Sequence, residues 1–316
     1  MAINANEIIY ASDINKILRG IDGVGMNIMP LSWKNTQSFT TESIYSICYG
    51  NGKFVAGGSS GKMAYSTDGI NWTDIPKKFT TNSIYSICYG NGKFIAGGYG
   101  GKMGHSTDGI NWTAISPNFT SNDIQSICYG NGKFIAGGYG GKMAYSADGI
   151  NWTTISQSIF VDYDEIHSIC YGNGKFIAGG GGDIGKMASS TDGTTWEPIS
   201  QSVFTDYVLV YSICYGNGKF VAGGDIGIMA YSTDGKNWKA ISPSFTTGNI
   251  YSIYYSDSKF AAGDGDGKIA CSIDGKNWKS AQSFTTNSIN SICYGNRKFI
   301  AICDGGKIGY CRLGIL

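Results

Sequence analysis

The sequence predicts an all-β ring: a seven-bladed β-propeller built from four-stranded antiparallel blades. Three observations carry that expectation. The tripeptide Cys-Tyr-Gly begins at Cys48, Cys88, Cys128, Cys170, Cys214 and Cys293, and Tyr254-Tyr255-Ser256 fills the one missing place. Successive copies therefore lie 40, 40, 42, 44, 40 and 39 residues apart. A second mark, Ser-x-Asp-Gly-x-x-Trp, begins at Ser66, Ser106, Ser146, Ser190, Ser232 and Ser272. The third observation is that all 7 tryptophans (Trp33, Trp72, Trp112, Trp152, Trp196, Trp238 and Trp278) share one repeat position. A period near 40 residues suits four-strand blades or paired helices. The local pattern decides for strands, because apolar and β-branched runs of five to seven residues alternate with glycine turns.

Residues 1–28 stand outside the repeat. Ser12 suits a helix N-cap, followed by Ile14, Ile17, Leu18 and Ile21 on one helical stripe. So short a helix is not stable alone, so the segment is expected to dock on the propeller, self-associate or bind a partner. Its start lacks a basic region followed by an apolar run, which predicts synthesis in the cytoplasm without a secretory signal. The stretch Ala5–Asn15 resembles the opening of phage tail-fibre and tail-associated proteins. That resemblance implies a place in a virion tail or tail-like particle, with a tail or baseplate protein as partner.

The propeller is expected over residues 29–316. In the first copy the strands read Ser43–Tyr49, Lys53–Gly57, Lys62–Ser66 and Asn71–Ile75. Between them lie Gly50-Asn51-Gly52, Gly58–Gly61 and Thr67–Ile70, whose glycine, asparagine and aspartate supply the positive φ of tight hairpins. The seventh copy ends before any tryptophan, while Trp33 precedes the first copy. The strand around Met29–Trp33 should therefore complete the last blade and remove the open edges of the ring.

The run Ser66-Thr67-Asp68-Gly69-Ile70-Asn71-Trp72 resembles the Asp-box of sialidase-type propellers, shortened by one residue between aspartate and glycine. The resemblance spans roughly residues 29–316. It implies a hairpin between third and fourth strands, braced by the aspartate and packed by the tryptophan, on the face opposite the binding site. Sialidases clamp a substrate carboxylate with three arginines from different blades. Here only Arg19, Arg297 and Arg312 occur, so that chemistry is not carried over.

Composition agrees with the architecture and excludes several functions. Glycine contributes 48 of 316 residues, about twice ordinary usage, and proline only 5. With 24 basic and 23 acidic residues the net charge of +1 creates no field that gathers nucleic acid or anionic lipid. No apolar run is long enough to insert in a membrane. The two histidines, His105 and His167, sit two blades apart, a poor basis for a triad or a metal site. Six of the 9 cysteines repeat as small hydrophobes between blades; Cys271, Cys303 and Cys311 are irregular, and a Cys303–Cys311 bridge is conceivable but has no support in the sequence. No enzyme, cofactor or metal is expected; a calcium loop at Asp264–Gly267 lacks the usual spacing.

Comparing the copies with one another locates the variation. One face repeats nearly unchanged as Tyr-Gly-Asn-Gly-Lys and the Asp-box. The other differs in length and chemistry, and it is where binding is expected. At the entrance of the innermost strands stand Tyr45, Tyr85, Gln125, His167, Tyr211, Tyr251 and Asn290, expected to ring the axial mouth. The neighbouring turns and links add Tyr99, Tyr139, Tyr163, Tyr207 and the carboxylates Asp162, Asp164, Glu165, Asp183, Asp206, Asp225, Asp264, Asp266 and Asp304. Aromatic faces beside carboxylate, amide and hydroxyl groups suit bacterial surface carbohydrate. The competing readings are a glycan-processing hydrolase and a protein-binding assembly scaffold.

Overall fold

The computed structural model describes residues 32–156, 158–200, 202–204, 208–242 and 244–312. Residues 1–31, with the expected helix, lie outside these, as do Asp206 and Tyr207. Strands β1 to β28, numbered in chain order, form seven four-stranded antiparallel sheets. The innermost strands are β2 (Ile44–Gly50), β6 (Ile84–Gly90), β10 (Ile124–Gly130), β14 (Glu165–Gly172), β18 (Val210–Gly216), β22 (Ile250–Ser256) and β26 (Ile289–Gly295). Each packs against the next, and β26 packs against β2, so the ring closes on itself.

Closure is made by the other end of the chain. Strand β1 (Lys34–Asn35) pairs with β28 (Ile308–Arg312) through Lys34 opposite Tyr310 and Asn35 opposite Gly309. The closing strand thus begins just after Trp33, not across Met29–Trp33, of which residues 29–31 lie outside the described residues. The same offset holds in the first blade, where the fourth strand is Thr73–Asp74 rather than Asn71–Ile75. The box turn explains it: the Asp68 carboxylate holds Ile70 and Asn71 until the tryptophan has passed. Trp33 itself is buried and stacks on Phe284 with centroids 5.7 Å apart.

The core lies between blades. Each second strand buries one phenylalanine completely: Phe54, Phe94, Phe134, Phe176, Phe220, Phe260 and Phe299. Full burial of such a ring contributes about 1.5–3 kcal/mol. A serine in six of the seven innermost strands fastens the following blade. Ser46 Oγ accepts the Ile87 N–H at 2.8 Å, and Ser86, Ser126, Ser168, Ser212 and Ser252 repeat the contact with Ile127, Ile169, Ile213, Ile253 and Ile292. At the seam between last and first blades the pattern changes. There Asn290 Nδ2 donates to the Ile44 carbonyl at 3.0 Å, while Ser291 makes no such bond to Ile47 among the described residues.

The nearly unchanged face is occupied by structural contacts. In each box the aspartate accepts two backbone N–H groups at 2.7–2.9 Å, and the preceding serine donates to it. These bonds hold the Asp148, Asp192 and Asp234 carboxyls well below the usual carboxylate range. Lysines from the opposite turn reach the next box: Lys93, Lys133 and Lys175 donate to the carbonyls of Asp148, Asp192 and Asp234 at 3.0, 2.9 and 2.8 Å. Copies agree on this face because every blade must meet its neighbour in the same way.

Cys303 and Cys311 are both free thiols, so the Cys303–Cys311 bridge does not form. Of the six repeated ones, five are half-buried and Cys293 is fully buried. Burial pushes the Cys48, Cys128 and Cys214 thiols up to about 12.

Candidate binding face at the axial mouth

A β-bulge recurs in every innermost strand at one residue. The register slips between Ile44 and Ser46, and at the six equivalent places, so the residue between is extra. Those extra residues are Tyr45, Tyr85, Gln125, His167, Tyr211, Tyr251 and Asn290. A bulge re-aims the side chain it carries. All seven are half-buried at the strand entrance, where the sequence places them.

Neighbouring blades bring these side chains together. Tyr45 and Tyr85 lie 5.5 Å apart between centroids, His167 and Tyr211 5.0 Å, and Tyr211 meets Tyr251 edge-on at 5.0 Å. Asn290 fills the gap between Tyr251 and Tyr45, donating also to Asp304 Oδ1 at 2.9 Å. Ser59 Oγ donates to the Tyr45 hydroxyl at 2.9 Å. The Asn249 amide donates to the Tyr251 hydroxyl at 3.4 Å.

Carboxylates stand beside this collar. Asp123 Oδ1 accepts the Gly100 N–H at 2.8 Å, and Asp225 Oδ2 accepts the Leu209 N–H at 2.8 Å. Burial, reinforced by Asp123, raises the Tyr85 hydroxyl. Burial and then a hydrogen bond to Asp225 raise the Tyr211 hydroxyl. Glu165 Oε2 lies 3.7 Å from His167 Nε2. Burial lowers His167 to about 4 against the opposing pull of Asp225, so the imidazole is neutral at physiological pH. Its buried Nε2 has no hydrogen-bond partner. Burial and then Asp123 raise the Glu165 carboxyl.

Around the collar, the turns between second and third strands project outward. Tyr99 is 55% exposed and Tyr139 46%. Asp183 is exposed at the tip of the longest such turn. Asp266 is exposed and carries Lys268 Nζ at 3.3 Å. Asp264 corrects the sequence expectation. It is fully buried, takes the Asp266 and Lys268 N–H groups on Oδ1 and the Thr246 hydroxyl on Oδ2, and so braces its own turn. An open groove of about 470 Å³ follows the link between the second and third blades, lined by Pro117, Asn118, Phe119, Ser121, Asn122 and Lys142.

His105, on the third strand of the second blade, stays apart from the mouth. Burial and then Lys93 lower its pKa, and its buried Nδ1 is unpartnered.

Two residues of this face escaped the sequence reading. Asp123 occupies the position just before the innermost strand that reads Ser43, Ser83, Asp123, Glu165, Leu209, Asn249 and Ser288 across the copies. The same internal comparison, moved by two residues, would have found it. Ile226 has φ 47° and is 66% exposed, where other copies place Gly100, Gly140 or Gly305. A β-branched residue in the left-handed region is a strained outlier, and such strain gathers at functional sites.

No family model matches the chain, and no curated protein matches it. Solved structures do. YCF48 bound to D1 peptide aligns with a TM-score of 0.71 at 17% identity, covering 89% of this chain and 97% of that one. Selenomethionine-substituted virginiamycin B lyase from Staphylococcus aureus aligns at 0.77 and 12% identity, covering 90% and 100%. The WD40 propeller domain of Doa1 aligns at 0.69 and 12%, covering 90% and 97%. The neighbours include both an enzyme and non-enzymes, and at these identities they share one thing with this chain, the seven-bladed β-propeller fold.

Proposed function

We propose that the protein is a non-catalytic binding module that recognises bacterial surface carbohydrate through the face around the axial mouth. One observation carries this reading. Among the described residues, seven large apolar side chains are exposed, and six of them share that face: Tyr99, Tyr139, Val161, Tyr163, Ile184 and Ile226. Only Ile150 belongs to the opposite, structurally occupied face. The exposed rings adjoin amides, hydroxyls and carboxylates, including the groove beside Asn122, a combination that matches the apolar ring faces and hydroxyls of sugars. The sequence resemblance of Ala5–Asn15 to tail-fibre openings supports a setting in a tail or tail-like particle, attached through residues 1–28.

Binding to immobilised bacterial surface polysaccharides tests the reading. Tyr139→Ala and Tyr99→Ala should each weaken binding about tenfold while leaving the melting temperature unchanged, since both rings are exposed. A second reading, a protein partner, is favoured by the aliphatic members Val161, Ile184 and Ile226. YCF48, of similar fold, is seen bound to a peptide. Capture of a cell-envelope protein with no polysaccharide bound would establish that reading instead. Release of reducing sugars from the polysaccharides would replace the binding module with a hydrolase.

A further inference from the structure

Carboxylates gather at the mouth without an ion-pair partner. Four carboxylates surround the collar: Asp123 beside Tyr85, Glu165 beside His167, Asp225 at Tyr211 and Asp304 at Asn290. Among the described residues, none of the four forms an ion pair with lysine or arginine. Three lysines of this face pair with other carboxylates, Lys142 with Asp162 at 3.1 Å, Lys186 with Asp164 at 2.7 Å and Lys268 with Asp266 at 3.3 Å, while Lys62, Lys102 and Lys307, at the same repeat position, form no ion pair among the described residues. His167, the one basic side chain within the collar, is held neutral by its burial.

Aromatic faces supply a second and independent feature. Tyr211 and Tyr251 on one side of Asn290, and Tyr45 and Tyr85 on the other, line the same opening. Tyrosine faces attract cations through their quadrupole, more strongly as the cation loses water. An anion placed here would meet four carboxylates and the negative faces of four rings. A neutral sugar would hydrogen-bond the carboxylates through its hydroxyls but leave their charge unbalanced.

We propose that the axial mouth takes an organic ammonium group carried by the bound glycan, with the four tyrosines around it and the four carboxylates balancing its charge. The proposal deepens the carbohydrate reading and rests on it. Burial and then the neighbouring Asp123 raise the Glu165 carboxyl, and an entering cation opposes both effects by favouring the charged carboxylate.

Calorimetric titration with chitosan hexasaccharide and with its fully N-acetylated counterpart, near pH 6 where the free amines are charged, tests it, with tetramethylammonium as a carrier-free probe. The amine form should bind at least about tenfold tighter than the acetylated form, and tetramethylammonium should compete with it. Glu165→Gln and Asp225→Asn should remove most of that preference. Glu165→Gln remains informative if Asp225→Asn unfolds, since the Asp225 carboxylate also accepts the Leu209 N–H and its replacement must keep that bond through the one remaining oxygen. Equal or tighter binding of the acetylated form overturns the ammonium site while the carbohydrate reading stands. Binding of tetramethylammonium with neither hexasaccharide bound keeps the cation site and overturns the carbohydrate reading for these sugars. Binding of none of the three overturns the ammonium site.

Discussion

Tyr89 stands over Gly50 of the preceding blade so closely that a Cβ on that glycine would lie 2.1 Å from the ring's Cγ. The same pairing joins Gly90 to Tyr129, Gly130 to Tyr171, Gly172 to Tyr215, Gly216 to Tyr255 and Gly295 to Tyr49. Each tyrosine also packs on a phenylalanine of its own blade, Tyr89 on Phe94 at 4.7 Å. The recurrent Cys-Tyr-Gly is therefore one half of a joint whose other half lies in the next copy.

Gly50→Ala should destabilise the fold by about 1–3 kcal/mol, because the added methyl must displace a packed ring. Gly52→Ala makes a control. Gly52 has φ 74° with nothing near its Cβ direction, so it should lose only about 1 kcal/mol of backbone preference. Chemical denaturation of the two variants checks the order.

The serine fasteners distinguish the seam from the other junctions. Ser126→Ala leaves the buried Ile169 N–H without its acceptor and should cost about 1–3 kcal/mol. Ser291→Ala, at the seam, removes no such bond and should be close to neutral. A matched pair of denaturant midpoints decides; equal losses would mean that the seam is fastened like the rest.

Stability should fall in acid through the box aspartates. Backbone N–H groups of Asn71 and Ile70 outweigh burial and hold Asp68 at about 2, and Asp274 is likewise held at about 2. A depressed carboxyl contributes stability that is present above its unfolded value, near 4, and is lost as pH falls toward 2. The denaturation midpoint should therefore drop across that interval. Asp68→Asn should lower the midpoint at neutral pH and flatten part of the acid limb, as a pH series of melts would show.

Ile226 sets strain against exposure. Ile226→Gly should raise stability by about 1 kcal/mol, since glycine adopts the left-handed region freely. The same change should weaken ligand binding by removing an exposed apolar contact. A stabilised variant with unaltered binding would place Ile226 outside the recognition surface.

Much of this was legible in the chain before folding. Period, turn residues and the displaced Trp33 suffice for seven blades and for closure by the N-terminal side, because a repeated unit must bury the same surfaces at every junction. Internal comparison likewise separates the two faces: Asn51-Gly52 and Asp68 recur under interblade constraint, whereas Tyr99, Asp183 and Ile226 occupy loops free to differ. It also places the seven entrance residues, since a bulge at one register position treats every copy alike.

Tertiary structure decided what depends on distance between copies. Pattern alone cannot show that Asp264 is buried within its own turn while Asp225, one place further along the same turn of the preceding blade, reaches Tyr211. Nor can it show that Asn290 replaces a serine fastener at the seam, or that Asp123 and Glu165 share one electrostatic neighbourhood across a blade boundary. The reason is physical. Strand period and turn preference are local and repeat with the sequence, whereas burial, charge and hydrogen bonding are summed over neighbours that only the closed ring brings together.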